Sequence, residues 1–338
     1  MQELLKPRAL KAGDTIALIS ISGGRGGDDD MISRLYEGKR RLEEIYQLNV
    51  LMTPNALMGS DYLYKHPEAR GADLMWAIKN KDVHGIICIM GGDDSYRVLP
   101  FIDLNAIHEN PKIFMGYSDI TSWTTVFAMA GVVSFYGPNI LTPIAQPVKL
   151  DSYTKLAIEK SLFHKDIIGE IKPCDAYTNI EWKPISESEI SWRKNTGYKI
   201  LQGKGKARGR LFGGCGAPLR QIMGTKYFPK PEFFKECILF LEIGSPYGSA
   251  LAGLHELRAL DAAGVFKDAN GLIVNQLNEE EEGVLLKFLK YEANREDLIV
   301  LENVDFSHRT PMTVIPVGIM AEIDCDTVSF QIIEPCVS

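Results

Sequence analysis

Apolar residues occur in short, nearly continuous runs along residues 1–150, and amphipathic stretches separate the runs. Such runs are typical of strands buried on both faces, and apolar positions repeated every three or four residues predict helices. Their alternation predicts a parallel sheet flanked by helices, so we assign residues 1–150 to a flavodoxin-like or glutamine-amidotransferase-like α/β domain. The predicted strands are 15–20, the region of Val50, 85–90, 112–115 and 132–135, and the predicted helices are 32–48, 67–79 and 120–130.

The pattern changes after residue 150. A predicted helix over 153–163 precedes a polar stretch, 177–198, that has no clear periodicity, and we interpret residues 151–205 as a crossover with a long loop. Residues 206–338 return to mixed strands and helices, which predicts a second, α+β domain. Its predicted elements are a glycine-rich strand and turn at 209–214, strands at 238–242, 271–274, 298–301, 313–317 and 327–333, and helices at 250–263 and 279–290.

Composition favours a globular protein whose partner is a small molecule. The 338 residues are enough for two cores, and 45% hydrophobic with 24% charged residues is ordinary globular composition. A net charge of -7 gives no basic surface for nucleic acid or anionic lipid. No signal peptide or membrane-spanning run is evident, so we expect a cytoplasmic protein without nucleic-acid or membrane partners. The six cysteines lack C-x-x-C spacing and are interpreted as reduced structural thiols.

Ser118 lies between a predicted strand and a predicted helix, within the sequence Met-Gly-Tyr-Ser-Asp-Ile-Thr at 115–121. A tight turn there would lift the hydroxyl clear of the sheet and aim it at the helix N-terminal amides, which can stabilise an oxyanion. The pattern G-x-S-x-I lacks the second glycine of common esterases, and a serine that only caps the helix is the alternative. Position alone therefore makes Ser118 a candidate nucleophile.

A serine nucleophile needs a base, and the base needs an acid that fixes its tautomer. His308 lies in a loop between two apolar strands, where catalytic groups collect; a solvated loop histidine is the alternative. Glu242 ends an apolar strand, so its charge needs a partner unless the strand end is solvated or the carboxylate caps the next helix. Gly91 and Gly92 follow another strand and could present amides to an oxyanion, or form a simple tight turn.

A second glycine-rich run, 22–27, follows the first predicted strand. It lacks the lysine of a phosphate-binding P-loop and the G-x-G-x-x-G spacing of dinucleotide-binding loops. We interpret it as a flexible loop at the edge of the sheet where ligands bind.

Taken in order, these motifs resemble the LD-carboxypeptidase family of serine peptidases, and most closely its branch of microcin C self-immunity proteins. The resemblance extends over nearly the whole chain. It rests on Gly-Gly-Asp-Asp-Ser at 91–95, Asn-Pro-Lys at 110–112, Gly-Tyr-Ser-Asp-Ile-Thr at 116–121, Tyr-Gly-Pro at 136–138, Gly-Arg-Leu-Phe-Gly-Gly at 209–214, Leu-Glu at 241–242, and His308 ahead of Pro-Met at 311–312 and Ile-Pro-Val-Gly at 315–318.

The resemblance implies a triad of Ser118, Glu242 and His308 that acts through an acyl-enzyme, with the nucleophile in the first domain and the other two residues in the second. It also implies an oxyanion hole from amides near Gly92 and at Asp119, no metal or cofactor, and a cytoplasmic homodimer. The site would lie at the domain interface, where small-molecule sites are common. Two other functions stay open: a generic α/β-hydrolase esterase, and a non-catalytic protein that binds a small ligand in the same cleft.

Two branches of the family differ in substrate. One removes a terminal D-alanine from an L,D-linked muropeptide in peptidoglycan recycling. The other cleaves the amide between a peptide's C-terminal residue and a nucleotide-like phosphoramidate, or a related aminoacyl-adenylate analogue. The motif at 91–95 and the loop with Trp182 and Trp192 favour the second branch, with Gly91, Asp93 and both tryptophans as substrate-binding candidates. A tryptophan can stack on a nucleobase, and the alternative is an apolar anchor for the loop.

Two positions depart from the family pattern. Cys215 stands where the family usually has asparagine, and Asn275 replaces a usual glycine. The first change affects an expected hydrogen bond near the substrate, and neither residue belongs to the implied triad. Hydrolysis stays the expected activity, with a peptide, muropeptide or peptidyl-nucleotide as substrate.

Overall fold

The computed structural model describes residues 1–179, 187–244 and 249–338, and most of its strands form two large sheets. Burial of apolar strands between layers of helices is the arrangement that the sequence pattern predicts. The strands are β1 Thr15–Ile19, β2 Asn49–Met52, β3 Val83–Cys88, β4 Ile113–Gly116, β5 Ser134–Tyr136, β6 Gly169–Glu170, β7 Ala176–Asn179, β8 Arg193–Lys194, β9 Lys199–Gln202, β10 Lys206–Cys215, β11 Cys237–Glu242, β12 Gly271–Val274, β13 Ile299–Glu302, β14 Arg309–Thr310, β15 Ile315–Val317, β16 Met320–Asp324 and β17 Ser329–Ile332.

Helices follow most of the parallel strands. No helix within the described ranges is both long enough and apolar enough to cross a membrane. The α-helices are α1 Ile32–Tyr46, α2 Gly59–Lys65, α3 Pro67–Lys79, α4 Leu104–Glu109, α5 Thr121–Met129, α6 Ser152–Leu162, α7 Gly216–Ile222, α8 Ala250–Ala262 and α9 Glu279–Tyr291, and 3-10 turns occupy Arg25–Gly27, Ser95–Phe101, Ser118–Ile120, Glu187–Glu189 and Pro231–Phe234.

The first sheet has the strand order β15-β5-β4-β3-β1-β2. Strands β1 to β5 run parallel to their neighbours, and only β15 is antiparallel, pairing with β5. The predicted N-terminal parallel sheet flanked by helices is therefore confirmed. The place of β15 was not predicted: a strand from the last 25 residues closes the first sheet, because Ile315 and Val317 are apolar and buried against β5. The C-terminal part of the chain is thus attached to the sheet that leads to Ser118.

The second sheet has the order β6-β17-β16-β10-β11-β12-β13-β9, with β10 to β13 parallel and the outer pairs antiparallel. The predicted turn at 209–214 is wrong, because these residues lie inside the ten-residue strand β10. Glycine is needed there for close approach: a Cβ on Gly214 would come within 2.5 Å of the Thr121 side chain. The α+β character of the C-terminal region is otherwise as expected, and the domain boundaries at 150 and 205 stay predictions.

The polar stretch 177–198, interpreted from sequence as a loop, contains short strands. β7 pairs with β8 and also with β14, which begins at the residue after His308. Strands of two to four residues are too short to give a readable alternation, so the sequence could not show them. This small sheet joins the crossover directly to the His308 loop. Trp182 lies outside the described residues.

Candidate active site

Ser118 begins the 3-10 turn that connects β4 to α5, and its backbone φ is 66°. This left-handed conformation is uncommon outside glycine, and at a strand-to-helix turn it makes Ser118 a candidate functional position. Two neighbouring glycines leave the required space. A Cβ on Gly91 would lie 3.2 Å from Ser118 Oγ, and one on Gly116 would lie 2.8 Å from Asn139 Oδ1. The turn holds the Ser118 hydroxyl at the carboxyl end of the sheet, where ligands bind in such folds.

The structure brings Ser118, His308 and Glu242 into one hydrogen-bonded chain. His308 Nε2 lies 2.9 Å from Ser118 Oγ, and His308 Nδ1 lies 2.7 Å from Glu242 Oε1. The His308 backbone N–H also donates to Glu242 Oε1, at 2.9 Å. Because an ionised carboxylate only accepts hydrogen bonds, it favours the tautomer with the proton on Nδ1, and the unprotonated Nε2 then faces Ser118 Oγ.

Glu242 is buried at the end of β11, with 3% of its surface exposed. The alternative of a solvated strand end is therefore wrong, and the N-cap of α8 is the Ser249 side chain, not Glu242. Asn275 fixes the chain just beyond Glu242, because its Oδ1 accepts the Ile243 N–H at 3.0 Å. Asn275, the residue that replaces the usual glycine, thus stabilises the end of β11 that carries Glu242.

Tyr136 contacts both Ser118 and Glu242, a role that was not predicted from the sequence although the residue lies in the Tyr-Gly-Pro motif. Its hydroxyl donates to Glu242 Oε2 at 3.2 Å and accepts the Ser118 N–H at 3.3 Å. Burial, with the nearby Glu242 charge, raises the pKa of Tyr136 well above its ordinary value, so the phenol stays a donor. Both oxygens of the Glu242 carboxylate are therefore occupied by donors, and the acid is held in one orientation.

A cleft of about 480 Å³ opens beside Ser118 and His308. It is lined from both halves of the chain, as expected for a site at an interface. Trp192, which immediately precedes β8, does not line this cleft, and 44% of its surface is exposed. The lining residues comprise the candidates Gly91, Gly92, Asp93, Ser118, Asp119 and His308 together with Met90, Tyr117, Asn139, Thr142, Cys215, Ala217, Pro218 and Gln221.

The Asp119 carboxylate joins three loops at the base of the cleft. Its Oδ2 accepts the Ser22 hydroxyl at 2.5 Å and the Ser95 N–H at 2.9 Å, and burial raises the pKa of Asp119. The Gly23 N–H donates to the Gly91 carbonyl at 3.1 Å. The start of the glycine-rich run is thus anchored, and its interpretation as a flexible loop is wrong at Ser22 and Gly23. The Asp119 side chain fixes the loops whose amides were assigned to the oxyanion hole, an assignment that stays a prediction.

Arg309 fixes the loop that carries His308. Its Nη2 donates to Asn303 Oδ1 and Asp305 Oδ1, both at 2.8 Å, and its Nη1 donates to Gln276 Oε1 at 2.7 Å. The guanidinium also covers the Tyr177 ring on β7, 4.4 Å from the ring centroid. Arg309 is buried, so these contacts are shielded from water. His308 is therefore held through Arg309, its neighbour in sequence, whose side chain contacts residues of both the second half of the chain and the crossover.

We expect Arg309→Lys to lower kcat by roughly 10- to 100-fold, because a misplacement of about 1 Å can reduce a rate to that extent. Lysine keeps the charge but cannot make these directed contacts together. Steady-state kinetics well below the unfolding temperature would check this, with KM for substrate expected to change little. An unchanged kcat would show that the His308 loop holds its position without Arg309.

Glu256 makes stability depend on pH near neutrality. Burial raises the pKa of Glu256 to about 7; Arg220 opposes the shift and Glu242 adds to it. The folded state therefore binds this proton more tightly than the unfolded state, so stability falls as pH rises from about 4.5 to about 7. We expect Glu256→Gln to gain stability relative to the unsubstituted protein on going from pH 5 to pH 8, by at most about 1.4 kcal/mol per pH unit. Urea unfolding of both proteins at pH 5 and pH 8 measures their free energies of unfolding. The same difference between the two proteins at both pH values would contradict this expectation.

Comparison with known proteins bears on what this geometry does. Residues 16–137 match the LD-carboxypeptidase N-terminal domain, and residues 208–323 match the LD-carboxypeptidase C-terminal domain. The chain belongs to the LD-carboxypeptidase family. As a member it is a serine peptidase of the carboxypeptidase type, which decides against the generic esterase and the non-catalytic binding protein. The two matched segments also contain the three residues of the hydrogen-bonded chain, Ser118, Glu242 and His308.

Relatives within the LD-carboxypeptidase family cover nearly the full length of the chain. The microcin C7 self-immunity protein MccF of Escherichia coli is 28% identical, over 97% of this chain and 96% of that protein. A probable murein peptide carboxypeptidase of Bacillus subtilis is 27% identical, over 94% of this chain and 91% of that protein. The structure of MccF in complex with aspartyl sulfamoyl adenosine superposes with a TM-score of 0.87 at 25% identity, over 99% of this chain and 100% of that one. The fold and the family of this chain are thereby shown.

Proposed function

We propose that the chain hydrolyses the amide between an aminoacyl or peptidyl group and a nucleotide-like group, through an acyl-enzyme on Ser118. The observation that carries the proposal is the continuous contact from Ser118 Oγ through the His308 ring to Glu242, with separations of 2.9 and 2.7 Å, at the edge of an open cleft. These are the separations that proton transfer from a serine to a histidine requires.

We propose the following reaction steps, which this geometry supports. His308 Nε2 accepts the Ser118 proton as Oγ attacks the scissile carbonyl, and Glu242 stabilises the imidazolium that forms. Amides near Gly92 and at Asp119 meet the oxyanion. His308 then returns the proton to the leaving nitrogen, and the bond between carbon and that nitrogen breaks. A water molecule, activated by the same histidine, hydrolyses the ester on Ser118 and releases the acid.

Similarity to MccF supports a nucleotide-bearing substrate, since that protein has been solved with aspartyl sulfamoyl adenosine and shares its fold along nearly the whole chain. The cleft agrees in size, because sites for small molecules typically enclose about 300–1,000 Å³. Gly91 and Asp93 line the cleft and are proposed to contact the substrate. Trp192 lies outside the cleft lining, next to β8, which pairs with β7; it is proposed as a stacking surface for the base of a substrate that extends beyond the cleft.

Muropeptide hydrolysis is the second candidate. It is favoured by the 27% identity to the probable murein peptide carboxypeptidase of Bacillus subtilis, which is close to the 28% identity to MccF. In that case the same triad would release a terminal D-amino acid. A cytoplasmic homodimer, implied by the resemblance, stays a prediction for either substrate.

Product analysis with two substrates separates these candidates. We expect a peptidyl-phosphoramidate nucleotide to be cleaved to the peptide acid and the nucleotide phosphoramidate, with a kcat/KM at least about 100-fold above that for an L,D-linked tetrapeptide. Such a ratio corresponds to about 2.7 kcal/mol of differential transition-state binding. The reverse ratio would assign the chain to muropeptide hydrolysis. If neither compound is cleaved, both candidate functions are rejected.

A further inference from the structure

Cys215 lies beside the proposed triad and adds a sulfur donor to it. Cys215, Glu242 and His308 each offer one ligand atom, and the three atoms lie within 4.8 Å of one another. Thiolate sulfur, imidazole nitrogen and carboxylate oxygen together form a donor set that Zn²⁺ accepts in proteins. Sequence spacing could not reveal this group, because its members come from three separate segments of the chain.

The backbone sets Cys215 and Glu242 side by side. They are direct partners in the parallel register of β10 and β11, the last pair before both strands end. The Cys215 N–H donates to Thr121 Oγ1 at 2.9 Å, which fixes the end of β10 against the turn that follows Ser118. The third ligand is equally constrained, since His308 donates to Glu242 from both its backbone and its ring. The three donors are therefore arranged by the fold before any ion arrives.

The distances allow a tetrahedral ion after small side-chain movements. Bonds of about 2.0–2.3 Å place the ligands of tetrahedral Zn²⁺ roughly 3.5 Å apart. His308 Nδ1 and Glu242 Oε1, at 2.7 Å, would have to separate slightly, and the most distant pair would have to approach by about 1 Å. The Tyr136 hydroxyl on Glu242 Oε2 supplies the outer hydrogen bond that orients a carboxylate ligand.

The cleft supplies an entry path and a fourth coordination position. Cys215, His308 and Ser118 all line it, so an ion that enters from solvent reaches the sulfur and the imidazole from the same side. Only three protein ligands are present in this group, which leaves one position open for water. Ligand identity, approximate spacing, outer support and access are the properties that a plausible metal site must have together.

We propose that a thiophilic divalent cation, Zn²⁺ in the first instance, binds reversibly to Cys215, Glu242 and His308 and inhibits the enzyme. Coordination through His308 Nδ1 shifts the proton of that atom to Nε2, so His308 can no longer accept the Ser118 proton. The bonds that break are His308 Nδ1–H, whose proton moves to Nε2, and Cys215 S–H, whose proton goes to solvent; the bonds that form join the ion to Cys215, Glu242 and His308. The inhibitory role rests on the proposed function, whereas the binding site itself does not.

The binding test uses Ser118→Ala, which keeps all three ligands and cannot turn over substrate. Isothermal titration with ZnCl₂ should give one site. Adding Cys215→Ser should weaken it by at least roughly 10- to 100-fold, the loss typical even of outer contacts to a metal. Cys325→Ser is the matched control, because Cys325 is a partly exposed thiol that does not line the cleft, and it should bind normally. Equal affinity in the Cys215→Ser protein, or no binding at all, would overturn the proposal.

Two further measurements keep the outcome clear. Cd²⁺ added to the protein with all its cysteines should produce a thiolate-to-metal charge-transfer band, and that band should persist in Cys325→Ser, so the result does not depend on how Cys215→Ser folds. In activity assays, Zn²⁺ should inhibit the unsubstituted enzyme and inhibit Cys215→Ser at least roughly 10-fold less strongly. If Zn²⁺ binds without inhibiting the enzyme, the inhibitory role is rejected and the proposed binding site stands. Failure of Ser118 as nucleophile would leave the titration result unchanged.

Discussion

Ser118→Ala is expected to lower the rate of amide hydrolysis by at least about 10³-fold and up to about 10⁶-fold, with the fold intact. Loss of a nucleophile in a serine triad has effects of this size, because only oxyanion stabilisation and substrate binding remain. The backbone should tolerate the change, since alanine, like serine, has a Cβ and no branch there and meets the same φ of 66°. Steady-state kinetics and thermal unfolding of the purified variant are the measurements.

Ser122→Ala is the matched control for this prediction. Ser122 is buried in α5, four residues further along, and its hydroxyl donates only a long bond of 3.4 Å to the Pro218 carbonyl. The same atom is removed from a neighbouring position, so activity should stay within about twofold. Retained amidase activity in Ser118→Ala, or equal losses in both variants, would remove Ser118 from the role of nucleophile.

Glu242→Gln should lower kcat by about 10²- to 10⁴-fold, the range associated with general acid–base catalysis. An amide oxygen placed at Oε1 can still accept both His308 donors, and the amide nitrogen can face the Tyr136 hydroxyl. The tautomer is then kept, and the loss comes from the missing negative charge beside the imidazolium. The effect should therefore lie below that of Ser118→Ala, and kcat should fall more than KM changes.

Glu302→Gln tests whether that loss is specific to the site. Glu302 ends β13 in the same sheet, is also buried, and accepts the Leu277 N–H at 2.9 Å. An amide oxygen can keep this bond, so kcat should not change. If Glu242→Gln hydrolysed substrate at the unsubstituted rate, Glu242 would no longer be the acid of the triad.

Long elements were predictable because the face that they bury repeats apolar residues at the period of a helix or a strand. The predicted helix at 67–79 matches α3, and the predicted strand at 271–274 matches β12. Helices of six or seven residues, such as α2, α4 and α7, make fewer than two turns and were missed, as was β16. The glycines of β10 indicated a turn, and only the close approach of Thr121 explains why a strand needs them.

The site was predictable as a set of residues but not as a geometry. Ser118, Glu242 and His308 stood out by their places at strand ends, and the resemblance grouped them. Their separations depend on contacts between distant segments, including the attachment of β15 to the first sheet and of β14 to the crossover. Tyr136, Arg309 and the Asp119 carboxylate act as supports, and nothing in their local sequence shows which groups they contact.

Support from both sheets also explains how Ser118 and His308, the proposed nucleophile and base from different halves of the chain, keep their relative positions. Ser118 is fixed by the turn after β4, Glu242 by the end of β11, and His308 by Arg309 and by hydrogen bonds from its own backbone and ring to Glu242. Because each support is buried, small changes in them should lower catalysis before they unfold the protein. The same arrangement places Cys215 within reach of the acid and the base.

Labelling with a fluorophosphonate shows whether Ser118 is the nucleophile, because this reagent traps a serine that a neighbouring base activates. We expect a single adduct by intact-protein mass spectrometry, mapped to the peptide that contains Ser118, and at least about 100-fold slower labelling in Glu242→Gln. An unlabelled Ser118 peptide, or an adduct that forms as fast without the Glu242 charge, would contradict it.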